Sequence, residues 1–230
     1  MKTEPLNRWA LSRALTQLAN ASPMQLAQRP LPELAQHAAR RIGVTGAPGS
    51  GKSTLVGHLA LERLHKGRLG VLAIDPSSPH SGGAILGDRV RMDELPGSEQ
   101  LYIRSLGSRK TNDGLADNLP EMLDLMDQFA FDEVILETVG VGQAEYAVRN
   151  QVNTLVLVLL PDSGDMVQAM KAGIMELADI YVVNKADLPG AQRAVADLRR
   201  IAAVTKRPPH EWTPPILLTS SCDADSVRAL

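Results

Sequence analysis

At 230 residues, with 44% apolar and 22% charged residues, the chain has globular composition and length for one well-buried domain, alone or with an appendage. Twenty-four Lys and Arg against 26 Asp and Glu leave a net charge of −2, so no positive excess draws it to DNA or RNA and no nucleic-acid partner is expected. The single Cys222 excludes an internal disulfide and a thiolate metal cluster, and fits a reducing, cytoplasmic setting.

The first residues carry Glu4 and Pro5 where a signal peptide would place its apolar stretch, and the longest aliphatic run is Leu155 to Leu160. No membrane span is expected. Two Trp, three Tyr and two Phe leave the core to aliphatic side chains and argue against a base-stacking surface.

Residues 7 to 41 read as helical. Leu11, Leu15 and Leu18 fall on one stripe, Pro23, Pro30 and Pro32 punctuate, and the stretch ends at Arg40 and Arg41. The expected domains are therefore a helical segment over 1–41 and an α/β domain over 42–230. From Ile42 onward, short apolar runs alternate with turns and longer segments of helical spacing. The predicted strands are Ile42 to Thr45, Val71 to Ile74, Leu101 to Ile103, Val134 to Glu137, Leu155 to Leu160, Ile180 to Val183 and Ile216 to Thr219. Most lack polar alternation, which predicts a mainly parallel sheet with helices on both faces. The predicted helices are Lys52 to Lys66, Leu115 to Phe129, Met166 to Ala178 and Ala191 to Thr205. Strand order is not readable from this pattern, but ligands of such sheets sit at the carboxyl ends of strands.

Directly after the first strand stands Gly46-Ala47-Pro48-Gly49-Ser50-Gly51-Lys52-Ser53, a full GxxxxGK[ST] match in its strand, loop, helix context. Glycines let backbone amides converge on phosphate oxygens while the following helix points its positive end at the same anion. Lys52 would place a charge on the β and γ phosphates and Ser53 would ligate Mg2+. Thr54 counts with these as a nucleotide-binding residue. After the strand ending at Val183 comes Asn184-Lys185-Ala186-Asp187, the NKxD pattern. A carboxylate at Asp187 accepts from N1–H and the 2-amino group of guanine, and adenine offers neither donor in that arrangement. Such a site selects GTP over ATP. A helix cap by Asn184 or Asp187 is the plain alternative, weakened by the phosphate loop upstream and by the turn Thr219-Ser220-Ser221.

Asp75 and Glu137 each end an apolar strand on the phosphate side, and either can hold magnesium directly or through water. Gly140 and Gly142 give the loop after Glu137 freedom to approach or leave a γ phosphate. Arg89 and Arg91 are either phosphate contacts or partners of Asp93 and Glu94 on an exposed helix. Gln143 either orients an attacking water or is an ordinary loop glutamine. Lys52, Glu137 and Gln143 are the catalytic candidates. The five His are scattered without ligand spacing and receive no metal role.

The stretches Asp75 to Pro79, Gly82 to Arg89, Ile103 to Ser105, Glu137 to Gln143 and Gly173 to Asp179 together resemble the MeaB/ArgK family of P-loop GTPases. The resemblance runs from about the first helix to the chain's end. It implies a P-loop G domain that binds GTP and GDP with Mg2+ and has no tightly bound organic cofactor. It also implies a chaperone of adenosylcobalamin-dependent acyl-CoA mutases, chiefly methylmalonyl-CoA mutase, that gates cofactor loading and protects the mutase. By the same resemblance Ser53, Asp75, Asp88 and Glu137 are the magnesium and switch positions, and Ser220 and Ser221 close over the base. Leu160 to Lys171 matches a loop that senses the mutase, with Gln168 and Lys171 at its polar positions.

Three departures stand out. Gly107 to Gly114 replaces much of the family's GxLGGL-like stretch, Ala144 stands for a serine, and the family's C-terminal dimerisation extension is expected to be absent past Leu230. Other classes stay open: a kinase, as an older arginine and ornithine transport label proposes, and a GTP-binding module without turnover. A nickel-delivery GTPase would want Cys and His ligands.

Overall fold

The computed structural model describes residues 5–29, 38–76, 99–108, 118–138, 144–161, 164, 173–204, 212–220 and 223–230. Within them the chain runs α1 (Arg8–Asn20), α2 (Pro23–Ala27), β1 (Arg40–Gly46), α3 (Lys52–Arg63), β2 (Leu69–Pro76), β3 (Leu101–Ser108), α4 (Leu119–Gln128) and β4 (Glu133–Glu137). It continues through α5 (Ala144–Arg149), β5 (Thr154–Leu159), α6 (Ile174–Leu177), β6 (Ile180–Val183), α7 (Ala191–Val204), β7 (Ile216–Leu218) and α8 (Ala224–Arg228). The seven strands form one sheet in the order β3-β2-β4-β1-β5-β6-β7, and every ladder is parallel.

Strand β1 lies between β4 and β5, so the chain turns outward in opposite directions from its central strand. That is the switch point at which open α/β sheets leave a crevice at their carboxyl edge, and the loop Gly46 to Gly51 leaves β1 there.

Alternate side chains of each strand feed opposite layers. On one face Leu155, Leu157 and Leu159 of β5 contribute to cores completed by α1, α4 and α7. On the other, Val156 and Val158 join Leu55, Val56 and Leu59 of α3 and Val227 of α8. Continuous apolar runs are what a strand covered on both faces requires, as expected from the sequence.

The N-terminal helix belongs to the main core. Leu11, Leu15 and Leu18 are fully or almost fully buried in the same cluster as Leu72, Leu106 and Leu123. Each such burial stabilises by roughly 1.5–3 kcal/mol. Polar ties fix the docking: Arg104 of β3 donates to Ser12 O at 2.9 Å and to Thr16 Oγ1 at 2.9 Å, and Asn118 Nδ2 donates to Leu18 O at 2.7 Å. Helix α2 starts at a capping box between Ser22 and Gln25, with Pro23 at the first turn where its missing N–H is harmless.

Several boundaries differ from the sequence expectation. Arg40 and Arg41 open β1 instead of closing the helical stretch, because Arg40 N donates to Asp132 O and Arg41 N to the Asn153 side chain. Strand β3 continues to Ser108, in register with β2 through Pro76. Helix α4 begins at Leu119, after Asn118 in a left-handed conformation and with Pro120 in its first turn. Helix α5 had no predicted counterpart. Of the helix expected over 166–178, only Ile174–Leu177 lies within the described residues.

Candidate functional site

Two loops meet at the carboxyl edge of the sheet. The first leaves β1 through Gly46, whose φ of +146° suits glycine; a Cβ there would stand 2.1 Å from the Val158 carbonyl oxygen. The loop ends at Gly51, φ +85°, which begins α3; a Cβ at that position would stand 2.5 Å from Asn184 Nδ2. Both glycines are therefore demanded by conformation and by close packing. Helix α3 then presents its N-terminus, which has no side-chain cap and carries a partial positive charge, to the edge of the sheet. Lys52 is only 7% exposed, and its ammonium donates to Gly46 O at 2.8 Å and Ala47 O at 3.0 Å. A cation is thus stored within the loop.

The second loop follows β6. Asn184 does not cap a helix. Its Nδ2 donates to Ser50 O at 2.8 Å and its Oδ1 accepts from Thr219 Oγ1 at 2.9 Å, so one buried amide ties the phosphate loop to the turn after β7. Lys185 adds a second stitch, donating from Nζ to Gly49 O at 2.9 Å with its backbone at φ +55°. Asp187 is exposed and accepts from Ser220 Oγ at 2.5 Å. The Ser220 hydroxyl, then Asp187's own backbone amide and Lys185 nearby, hold this carboxyl below the usual carboxylate range.

Between the two loops lies a cleft. Gly51, Thr54, Leu55 and His58 line it from the α3 side, Asn184, Lys185 and Ser220 from the opposite loops, and Val227 from α8. The predicted residues Gly51, Thr54, Asn184, Lys185 and Ser220 thus share one wall system. Sequence reading missed His58 and Val227; the spacing of Thr54 and His58, one helical turn apart on α3, carried the only signal.

The oxygen ligand candidates are Ser53, in the first turn of α3, and Glu137, at the end of β4. Ser53 Oγ donates to Glu137 Oε1 at 2.6 Å, and Glu137 is 6% exposed. A hydroxyl beside a carboxylate at a phosphate loop is a hard-oxygen pair of the kind magnesium takes, so these residues fit that ion. Glu137 is level with Val44 of β1 and Ala73 of β2, which puts Asp75 two residues further toward the same edge on the adjacent strand. Thr45 and Thr138, buried and bonded at 2.9 Å between hydroxyls, hold the ends of β1 and β4 together. The cue to either threonine in the sequence is a polar residue closing an apolar strand. Among the buried side-chain atoms described, Ser50 Oγ has no protein partner. Asp88, Gln143 and Ser221 lie outside the described residues, as do Arg89, Arg91, Gln168 and Lys171 and the side chain of Asp75.

No helix among the described residues is long and apolar enough to cross a membrane.

The chain is similar in sequence and fold to known proteins. The family model described as methylmalonyl Co-A mutase-associated GTPase MeaB matches residues 11–230. A probable GTPase of Mycobacterium tuberculosis is 41% identical over 234 residues, spanning 97% of this chain and 69% of that protein. The mouse protein named methylmalonic aciduria type A homolog, mitochondrial, is 38% identical over 196 residues, 83% of this chain and 47% of its own length. A crystal structure titled LAO/AO transport system kinase superposes with a TM-score of 0.66 at 25% identity, covering 97% of this chain and 73% of that one. A match that begins inside α1 and runs to residue 230, over a sheet whose loops after β1 and β6 meet at its carboxyl edge, settles the relationship: the chain belongs to the MeaB family of P-loop GTPases.

Proposed function

We propose that this chain is a magnesium-dependent GTPase whose GTP cycle gates cofactor loading into, and protection of, an adenosylcobalamin-dependent acyl-CoA mutase in the cytoplasm. Methylmalonyl-CoA mutase is the foremost partner. The observation that carries the nucleotide half is the double stitch of Asn184 to Ser50 and Lys185 to Gly49, which holds a base-reading loop and a phosphate-reading loop in one piece. The partner half rests on the family's description as mutase-associated and on the mouse relative's name.

In this reading the amides of Gly49 to Ser53 and the Lys52 ammonium bind the β and γ phosphates, with Ala47 and Pro48 shaping the loop over them. Asp187 accepts from the guanine edge, and Ser220, with Ser221 beside it, borders the base. The buried hydroxyl of Ser50 supports a polar guest at the loop, since an unbonded buried donor costs about 1–3 kcal/mol. Ser53 and Glu137 hold magnesium, with Asp75 and Asp88 as the further acids. When bound, the ion neutralises charge on the phosphoryl group being transferred. Gln143 orients the attacking water.

The test is phosphate release from GTP with and without each cobalamin mutase. Stimulation by one of them is the expected result, and no GTP turnover under any condition overturns the reading. The kinase-titled structural neighbour keeps phosphoryl transfer to a small acceptor as a second reading. Phosphate release without an added acceptor decides between them.

A further inference from the structure

Helix α8 is short, and its Ser226 bonds Ser220, a residue after β7 whose side chain meets Asp187. Ser226, in that helix, accepts at Oγ from the backbone N–H of Ser220 at 3.1 Å and donates to Asp223 O at 2.5 Å. Asp223 N in turn donates to Ser220 O at 3.1 Å, and the two residues form an isolated antiparallel bridge. The Ser220 backbone is thereby gripped on both its donor and its acceptor side. Its side chain is the group that donates to Asp187 Oδ1.

The grip is anchored in the fold. Val227, next to Ser226, is 2% exposed among Leu55 and Leu59 of α3, and Arg228 Nε donates to Glu62 Oε2 of α3 at 3.2 Å. Ser226 therefore sits on a helix that is fixed to the helix following the phosphate loop, and it reaches the base-reading carboxylate through one intermediary.

We infer that Ser226 is a positioning residue for guanine recognition: its hydroxyl orients Ser220, and Ser220 orients the Asp187 carboxylate toward the two donors of the guanine edge. The inference rests on the nucleotide reading above and adds a determinant of its specificity. A carboxylate accepting from two donors depends on its angle, whereas one accepting from a single donor tolerates rotation. Loss of the Ser226 hydroxyl should therefore weaken the guanine nucleotide more than one lacking the 2-amino group.

The experiment measures binding of GDP and inosine diphosphate, with magnesium, to the full chain and its variants by calorimetry. Ser226→Ala should weaken GDP by about 2- to 10-fold, the range of one net hydrogen bond, and narrow the preference of GDP over inosine diphosphate. Ser226→Thr and Ser226→Val are nearly isosteric, and only the first keeps a hydroxyl. Thr should retain the preference and Val should narrow it, so a packing effect on α8 would move both alike and overturn the inference. An Ala variant that melts at its normal temperature with an unchanged GDP to inosine diphosphate ratio also overturns it. If the unaltered chain binds neither nucleotide, the nucleotide reading falls. If it binds GDP with preference and Ser226 changes nothing, only the inference falls.

Discussion

The two loops at the sheet edge are made in opposite ways. The phosphate loop is backbone and glycine with one lysine folded into it, and its shape leaves no room for a Cβ at Gly46 or Gly51. The base loop is side chains: Asn184 buried as a strut, Lys185 laid across the first loop, Asp187 exposed and steered by Ser220. On the proposed reading, phosphates, which every nucleotide carries, would be met by geometry that admits little variation, and the base, which distinguishes nucleotides, by groups that single substitutions can retune.

Changes on the phosphate side should act on all nucleotides, and changes on the base side should act on choice. The largest effect is expected from Lys52→Ala, which should slow GTP hydrolysis by about 1,000-fold, the upper range for a lost charge-stabilising donor, with the melting temperature little moved; hydrolysis assays with parallel melts check it. Next comes Gly46→Ala. Its Cβ would meet a backbone oxygen that cannot swing aside, so denaturation should show about 3 kcal/mol lost and nucleotide binding should vanish for GDP and xanthosine diphosphate alike.

Asp187→Asn should do the reverse, weakening GDP by about 100-fold while raising affinity for xanthosine diphosphate, since the amide reverses one donor and acceptor pair. Equal losses for both nucleotides in competition binding would erase the contrast between the loops. The smallest effect is a titration. Because Ser220 holds the Asp187 carboxyl low, guanine binding should persist from neutral pH through the range where an ordinary carboxylate protonates and fall only as the pH drops through the depressed value. Ser220→Ala should shift that fall to higher pH, followed by carbon-13 NMR of the Asp187 carboxyl.

Legibility in the sequence divides along a similar line. Gly46 to Ser53 and Asn184 to Asp187 could be found because each motif is contiguous and its chemistry is local. That they are stitched together was not readable, since Ser50 and Asn184 are 134 residues apart and a hydrogen bond leaves no trace in composition. The apolar strands located the sheet but not its order, which depends on pairings such as Arg40 with Glu133. The leucine stripe of α1 was visible, yet its burial against β3 and α4 depends on Arg104 and Asn118, polar residues that in isolation resemble surface side chains. Ser226 was invisible for the same reason: its partner is a backbone amide.

The proposed nucleotide cleft takes one wall from the start of α3 and another from Val227 in α8, the last helix among the described residues. During synthesis the phosphate loop leaves the ribosome long before that wall does. On the proposed reading, a chain halted after β6 would carry Gly46 to Ser53 without Asn184, Asp187 or Val227, so guanine nucleotide would stabilise only a chain in which β7 and α8 have formed and would lend nothing to earlier stages of folding.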